Sequence, residues 1–279
     1  MRPLKSFLLP FLASFLLLSV VYAPAVESRR PPRVVPCAII PALNGDRLSG
    51  HVFGKGGVAV ILAHMYPDDQ SQWYDFALFL SERGYQVLTF DFRGFGESEG
   101  YRNVPDVHRD VRAAITYLQA RGAKDIYLVG ASMGGTASLR AVAGAGRRLS
   151  GVSGVVTVSS PVEILGLSLR SAMSEIKVPA MFIAAEYDEA AVTSARWFYD
   201  NARGPRQIRI LPGTEHGTDI LNGAYAWQLQ EVVLGFLQQF SPTPQAIASG
   251  LPALQPQEYQ ATQQPLELPG SLVPLSPNE

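Results

Sequence analysis

The chain has 279 residues, 47% of them hydrophobic and 17% charged, too apolar for an intrinsically disordered or polyelectrolyte protein. A formal net charge of -1, from 23 basic and 24 acidic residues, argues against nucleic acid as a bulk electrostatic partner. The single cysteine, Cys37, excludes an intrachain disulfide framework and any multi-thiolate metal site.

Residues 1–25 read as a secretory signal. Arg2 and Lys5 supply a positive start, residues 7–22 form an apolar stretch, and Ala23-Pro24-Ala25 fits the small-x-small cleavage pattern. The competing reading is an uncleaved membrane anchor, but about sixteen apolar residues fall short of the ~20 that span a bilayer. A short linker, 26–33, precedes a domain expected over 34–240. In that domain Cys37 is expected to act as a small buried hydrophobe. Residues 241–279 hold eight prolines, six glutamines and no Lys or Arg, and are expected to form a disordered tail.

Within the domain, β-rich apolar runs alternate with helix-length amphipathic runs, the pattern of a mostly parallel sheet covered by helices. Strands are expected at 34–40, 48–53, 58–63, 86–91, 126–129, 155–158, 180–184 and 207–211. The central runs are apolar without alternation, as when both faces are covered. The first two, set off by the glycines of 54–57, suggest an antiparallel hairpin at the sheet edge. Trp73, Phe76, Ala77 and Leu80 make one helical stripe; Val107, Val111, Ala114, Ile115 and Leu118 make another. Both are assigned to core packing. The twenty residues after 158 leave space for a short helix over 162–174 and none for a large cap domain.

Chemistry enters at Gly130-Ala131-Ser132-Met133-Gly134-Gly135, a G-x-S-x-G run between a strand and a small-residue helix. That spacing alone is a weak signal. A serine on a tight strand-to-helix turn, however, exposes its hydroxyl and places the next amide, Met133, at a helix N-terminus where an oxyanion can form. Serine needs a base, and in this version of the triad the acid and then the histidine follow the nucleophile in the chain. Only His216 follows Ser132, His51, His64 and His108 all preceding it. The acid should sit just past a strand end, which selects Asp188, with Glu186 as the alternative. The loop leaving strand 58–63 should carry the second oxyanion donor, the amide of Met65, with His64 shaping that loop. Tyr66, Trp73, Met133 and Leu165 fit either an acyl pocket or the core.

Together, His64-Met65, Asp91-Phe92-Arg93-Gly94-Phe95-Gly96-Glu97-Ser98, Gly130–Gly134, Asp188 and His216 resemble the α/β-hydrolase family in its small form without a lid. In that form it is similar to dienelactone-hydrolase-like and serine-aminopeptidase-like members. The Asp-x-Arg-Gly-x-Gly-x-Ser run is a structural turn there. His64-Met65 replaces the family's usual His-Gly, and Ala185-Glu186 stands where many members have a glycine. The resemblance implies an eight-stranded, mostly parallel sheet flanked by helices. It further implies a serine hydrolase using Ser132, Asp188 and His216, with carboxylic esters favoured as small-molecule acyl substrates, and the signal read over residues 1–25 makes it secreted or periplasmic. Aminopeptidase-like activity, acyl transfer to an alcohol, and an idle binding module are the alternatives. No cofactor, metal, nucleic acid or stable membrane partner is expected, unless the signal segment is retained as an anchor.

Overall fold

The computed structural model describes residues 37–144 and 151–241. The signal, the linker, the tail beyond Ser241 and the first three residues of the first expected strand lie outside them. Eight strands form one sheet, in spatial order β1 (Cys37–Pro41), β2 (Arg47–Phe53), β4 (Gln86–Phe90), β3 (Val58–Ala63), β5 (Asp125–Ala131), β6 (Val152–Val158), β9 (Ala180–Ala185) and β10 (Arg206–Leu211). β1 and β2 pair antiparallel, and β2 pairs antiparallel with β4. β3, β4, β5, β6, β9 and β10 are mutually parallel. Every residue of β3 and β9 is buried, which explains their unbroken apolar runs.

Helices cover both faces. α2 (His108–Gln119), α3 (Met133–Val142) and α4 (Glu189–Asn201) share a core with Ile61, Leu88, Leu128 and Phe182. The opposite face, reached by the alternate residue Tyr127, meets Phe236 of α5 (Ala226–Phe240), with the rings 6.4 Å apart. α1 (Tyr74–Ser81) follows a 3-10 turn at Gln70–Trp73, and both expected stripes are fully buried. The sequence offered no comparable stripe for α4 or α5.

Two local expectations are corrected. Cys37 is exposed rather than buried, because β1 is an edge strand whose alternation turns Cys37, Ile39 and Pro41 outward. The segment 162–174 forms no helix. It is a minimal hairpin, β7 (Glu163–Ile164) and β8 (Leu167–Ser168), followed by a 3-10 turn at Met173–Glu175. Leu165 and Gly166 both have positive φ, 45° and 87°, the requirement of a two-residue hairpin turn and incompatible with helix.

The run from Asp91 to Ser98 is a hydrogen-bonded turn behind the site. Asp91 is buried and accepts from the Gln70 amide (2.8 Å), the Gln70 side chain (3.0 Å) and the Glu97 amide (3.0 Å). At Gly96, with φ 47°, an added Cβ would lie 2.3 Å from the Asp91 carboxylate. Arg93 donates from Nε to Asp110 at 2.9 Å and from Nη2 to the same carboxylate, which is wholly buried. Burial pushes the Asp110 carboxyl above its usual range, against the pull of the Arg93 guanidinium. Truncating Asp110 would leave that guanidinium buried and unpaired. Asp110→Ala is therefore expected to cost about 3–5 kcal/mol, read as a lower urea midpoint at unchanged slope.

Candidate active site

All the candidate side chains leave the C-terminal edge of the parallel strands. Ser132 lies between the end of β5 and the start of α3 with φ 46° and ψ −114°, a conformation that strains a non-glycine residue by about 1–3 kcal/mol. Its amide donates to the Val158 carbonyl (2.8 Å), which ties it to β6. The surrounding glycines are there for space. A Cβ on Gly130 would come within 2.4 Å of the Gly134 and Gly135 backbone, and one on Gly134 within 2.2 Å of the Ala63 carbonyl oxygen. Gly135 presses on Ser160 in the same way, at 2.0 Å from its Oγ. Gly134→Ala would wedge α3 away from the end of β3. We expect about 1–3 kcal/mol of lost stability and a fall in ester turnover, measured together by thermal melting and initial rates.

His216 follows β10 and Asp188 follows β9. Their loops converge so that His216 Nε2 lies 3.0 Å from Ser132 Oγ and His216 Nδ1 lies 2.6 Å from Asp188 Oδ2. A carboxylate only accepts, so Nδ1 carries the ring proton and the Nε2 lone pair faces the serine hydroxyl. The other carboxylate oxygen, Oδ1, accepts from the Ala191 amide (3.3 Å), capping α4 and fixing the side chain. The Asp188 side chain is 12% exposed and that of His216 47%. Glu186 goes elsewhere: its side chain is exposed, and its amide extends the β9–β10 ladder to the Leu211 carbonyl. The turn closed by the Asp188 amide on the Ala185 carbonyl (3.1 Å) places the later carboxylate toward His216.

Met133 opens α3, and Met65 lies two residues beyond β3. Among the described residues, neither amide donates to a protein acceptor. The Met65 loop is braced by His64, which donates from Nδ1 to the Met65 carbonyl (2.8 Å) and accepts from the Phe92 amide at Nε2 (3.1 Å). Burial holds the His64 pKa below its ordinary value, so the ring stays neutral and keeps both bonds. Gly217, with φ 60°, lets the His216 loop press on Met65, since a Cβ there would meet Sδ at 2.7 Å.

Thr218 Oγ1 donates to Gln72 Oε1 at 2.6 Å, linking the His216 loop to the turn that follows the Met65 loop. Sequence reasoning missed this contact; two isolated polar residues 146 positions apart carry no pattern. Of the four residues that fitted either pocket or core, Trp73 and Met133 are core, while Tyr66 and Leu165 are exposed. Among the described residues no three His, Cys, Asp or Glu side chains converge to hold a metal ion, and no helix is long and apolar enough to cross a membrane.

Comparison with known proteins places this geometry in context. A family model described as alpha/beta hydrolase family matches residues 16–271. YfhR of Salmonella typhi, an uncharacterized protein, is 26% identical over 232 residues, covering 71% of this chain and 79% of its own. A non-heme haloperoxidase of Rhodococcus erythropolis is 28% identical over 179 residues, covering 63% and 62%. Among solved structures, the Pyrococcus furiosus esterase Pf2001 superposes with a TM-score of 0.64 at 21% identity, over 75% of this chain and 98% of that one. An esterase from Exiguobacterium antarcticum gives 0.62 at 15%, over 72% and 99%.

Proposed function

Because the chain belongs to the α/β-hydrolase family, we propose that it is a serine hydrolase that cleaves carboxylic esters through Ser132, His216 and Asp188. The observation that carries this reading is the continuous path from Asp188 Oδ2 through His216 to Ser132 Oγ, in two contacts of 2.6 and 3.0 Å.

The chemistry follows from those contacts. Ser132 Oγ attacks the ester carbonyl while His216 Nε2 takes its proton. The negative charge that gathers on the carbonyl oxygen is met by the Met65 and Met133 amides, the second reinforced by the α3 dipole. Collapse breaks the bond to the alcohol oxygen, which leaves with the proton from His216. Water then attacks the acyl-serine, gives its proton to Nε2, and the acid departs as Ser132 is restored. Asp188 keeps the imidazole in the productive tautomer and stabilises the imidazolium without accepting its proton.

Little covers the site, which suits an ester of modest size or the end of a peptide; an ester is favoured because esterases of Pyrococcus furiosus and Exiguobacterium antarcticum share the fold. Between β6 and β9 the chain contributes only the β7–β8 hairpin and a 3-10 turn. We assign the protein to an exported compartment on the strength of residues 1–25. The substrate class is tested by comparing p-nitrophenyl acetate and butyrate with aminoacyl p-nitroanilides. Ester hydrolysis exceeding anilide hydrolysis supports the reading; turnover of the anilides alone refutes it.

A further inference from the structure

Resting on that reading, we propose that Thr218 and Gln72 are positioning residues: their hydrogen bond holds the His216 loop against the Met65 loop, so that the base and an oxyanion donor address the same carbonyl. The need for such a tie comes from the sheet. Ser132 leaves β5 and Met65 follows the neighbouring β3, whereas His216 follows β10, at the far edge. β3 and β10 are four strand spacings apart, roughly 19 Å, so the sheet itself does little to fix one loop against the other. Their relative placement depends on direct contacts between the loops.

Two such contacts are made side by side. Gly217 brings the His216 loop so close to Met65 that a Cβ would lie 2.7 Å from Sδ, and Thr218, the next residue, donates from Oγ1 to Gln72 Oε1 at 2.6 Å. Thr218 is 1% exposed, so its hydroxyl has exchanged water for this partner, in surroundings where a hydrogen bond is stronger than at the surface. The acceptor is itself anchored. Gln72 belongs to the 3-10 turn Gln70–Trp73, which Asp69 caps by accepting from the Ser71 amide (2.8 Å). Gln70 donates its amide and its side chain to the buried Asp91 carboxylate. The line of contacts thus runs from the Asp91 turn through Gln72 to Thr218, two residues from the base.

The consequence for catalysis is freedom removed. Asp188 holds His216 from the β9 side through the contact at Nδ1, about which the ring can swing. Thr218 holds the same loop from the β3 side. With both in place, Nε2 keeps its 3.0 Å approach to Ser132 Oγ while the Met65 amide keeps its place across the site. Loss of the second tie leaves the triad chemically intact and lets base and donor drift apart. A displacement of about 1 Å is enough to cost on the order of 10²-fold in rate.

The test uses Thr218→Val, which keeps the branched shape and removes the donor, and Thr218→Ser, which keeps the donor. Gln72→Met removes the acceptor from a half-buried position and reads the same bond should Thr218→Val fail to fold. With p-nitrophenyl acetate, kcat is expected to fall about 10–100-fold in Thr218→Val and in Gln72→Met, with KM within about twofold of native. Thr218→Ser should recover most of the loss. The double variant should be no slower than either single one, since each removes the same bond. An alkyl trifluoromethyl ketone supplies the readout that a purely structural bond would not move. Ser132 Oγ adds to its carbonyl carbon, the hydroxyl proton passes to His216 Nε2, and the carbonyl oxygen becomes an anion held as in the reaction itself. Its Ki should rise in step with the fall in kcat/KM. Native kcat and Ki in both single variants, even with a lowered melting temperature, or full additivity in the double variant, overturn the proposal and leave the triad reading standing. Native protein that neither hydrolyses the ester nor is inhibited by the ketone overturns both.

Discussion

Ser132→Ala is expected to lower kcat for ester hydrolysis by about 10⁵-fold or more, with the melting temperature little changed. Triad members act as a unit, so loss of the nucleophile removes the whole covalent route. On the proposed mechanism, what remains is water attack assisted by the Met65 and Met133 amides, worth about 10³–10⁴ over the uncatalysed rate. Ser132 is 6% exposed, and its hydroxyl contacts His216. Removing one oxygen there creates a small void and leaves an imidazole that is already half solvated. A KM near the native value would separate loss of chemistry from loss of binding. Initial rates over a range of p-nitrophenyl acetate concentrations, with a circular-dichroism melt on the same sample, read both quantities.

Asp188→Asn is expected to cost about 10⁴-fold in kcat while leaving the backbone in place. The amide can still cap α4 through its oxygen, so the Ala191 contact survives and the stability cost stays near 1 kcal/mol or below. What changes is the ring. Facing an NH₂ group, Nδ1 becomes the acceptor, the proton moves to Nε2, and the nitrogen opposite Ser132 can no longer take a proton. Glu186→Gln, by contrast, should alter kcat less than twofold, because that carboxylate is exposed and outside the His216 contact. Swapped outcomes for these two variants would reassign the acid.

The sheet was legible because its signal is local and redundant. β3 and β9 are apolar at every position, and the Gly54–Gly57 break separates the edge hairpin from the buried strands. The tight turn at Ser132 was legible for a related reason. Gly130 and Gly134 are demanded by backbone contacts of 2.4 and 2.2 Å, and that demand leaves a mark in the sequence. His216 stood out through scarcity and chain order.

What could not be read depends on contacts far apart in the chain or on single backbone angles. The 162–174 segment has helix-compatible composition, and only the paired left-handed angles at Leu165 and Gly166 make it a hairpin. Cys37 is outward because of strand phase at an edge, and one register step would have buried it. The Thr218–Gln72 bridge and the His64 brace to Phe92 join segments 146 and 28 residues apart, with no periodicity to announce them.

The central claim is that Ser132 is a nucleophile activated by His216. The most direct measurement is intact-protein and peptide mass spectrometry after treatment with a fluorophosphonate. A single adduct on Ser132 is expected, absent in Ser132→Ala and formed at least a hundredfold more slowly in His216→Ala. Folded native protein that stays unmodified, or an adduct on any other residue, would contradict the account.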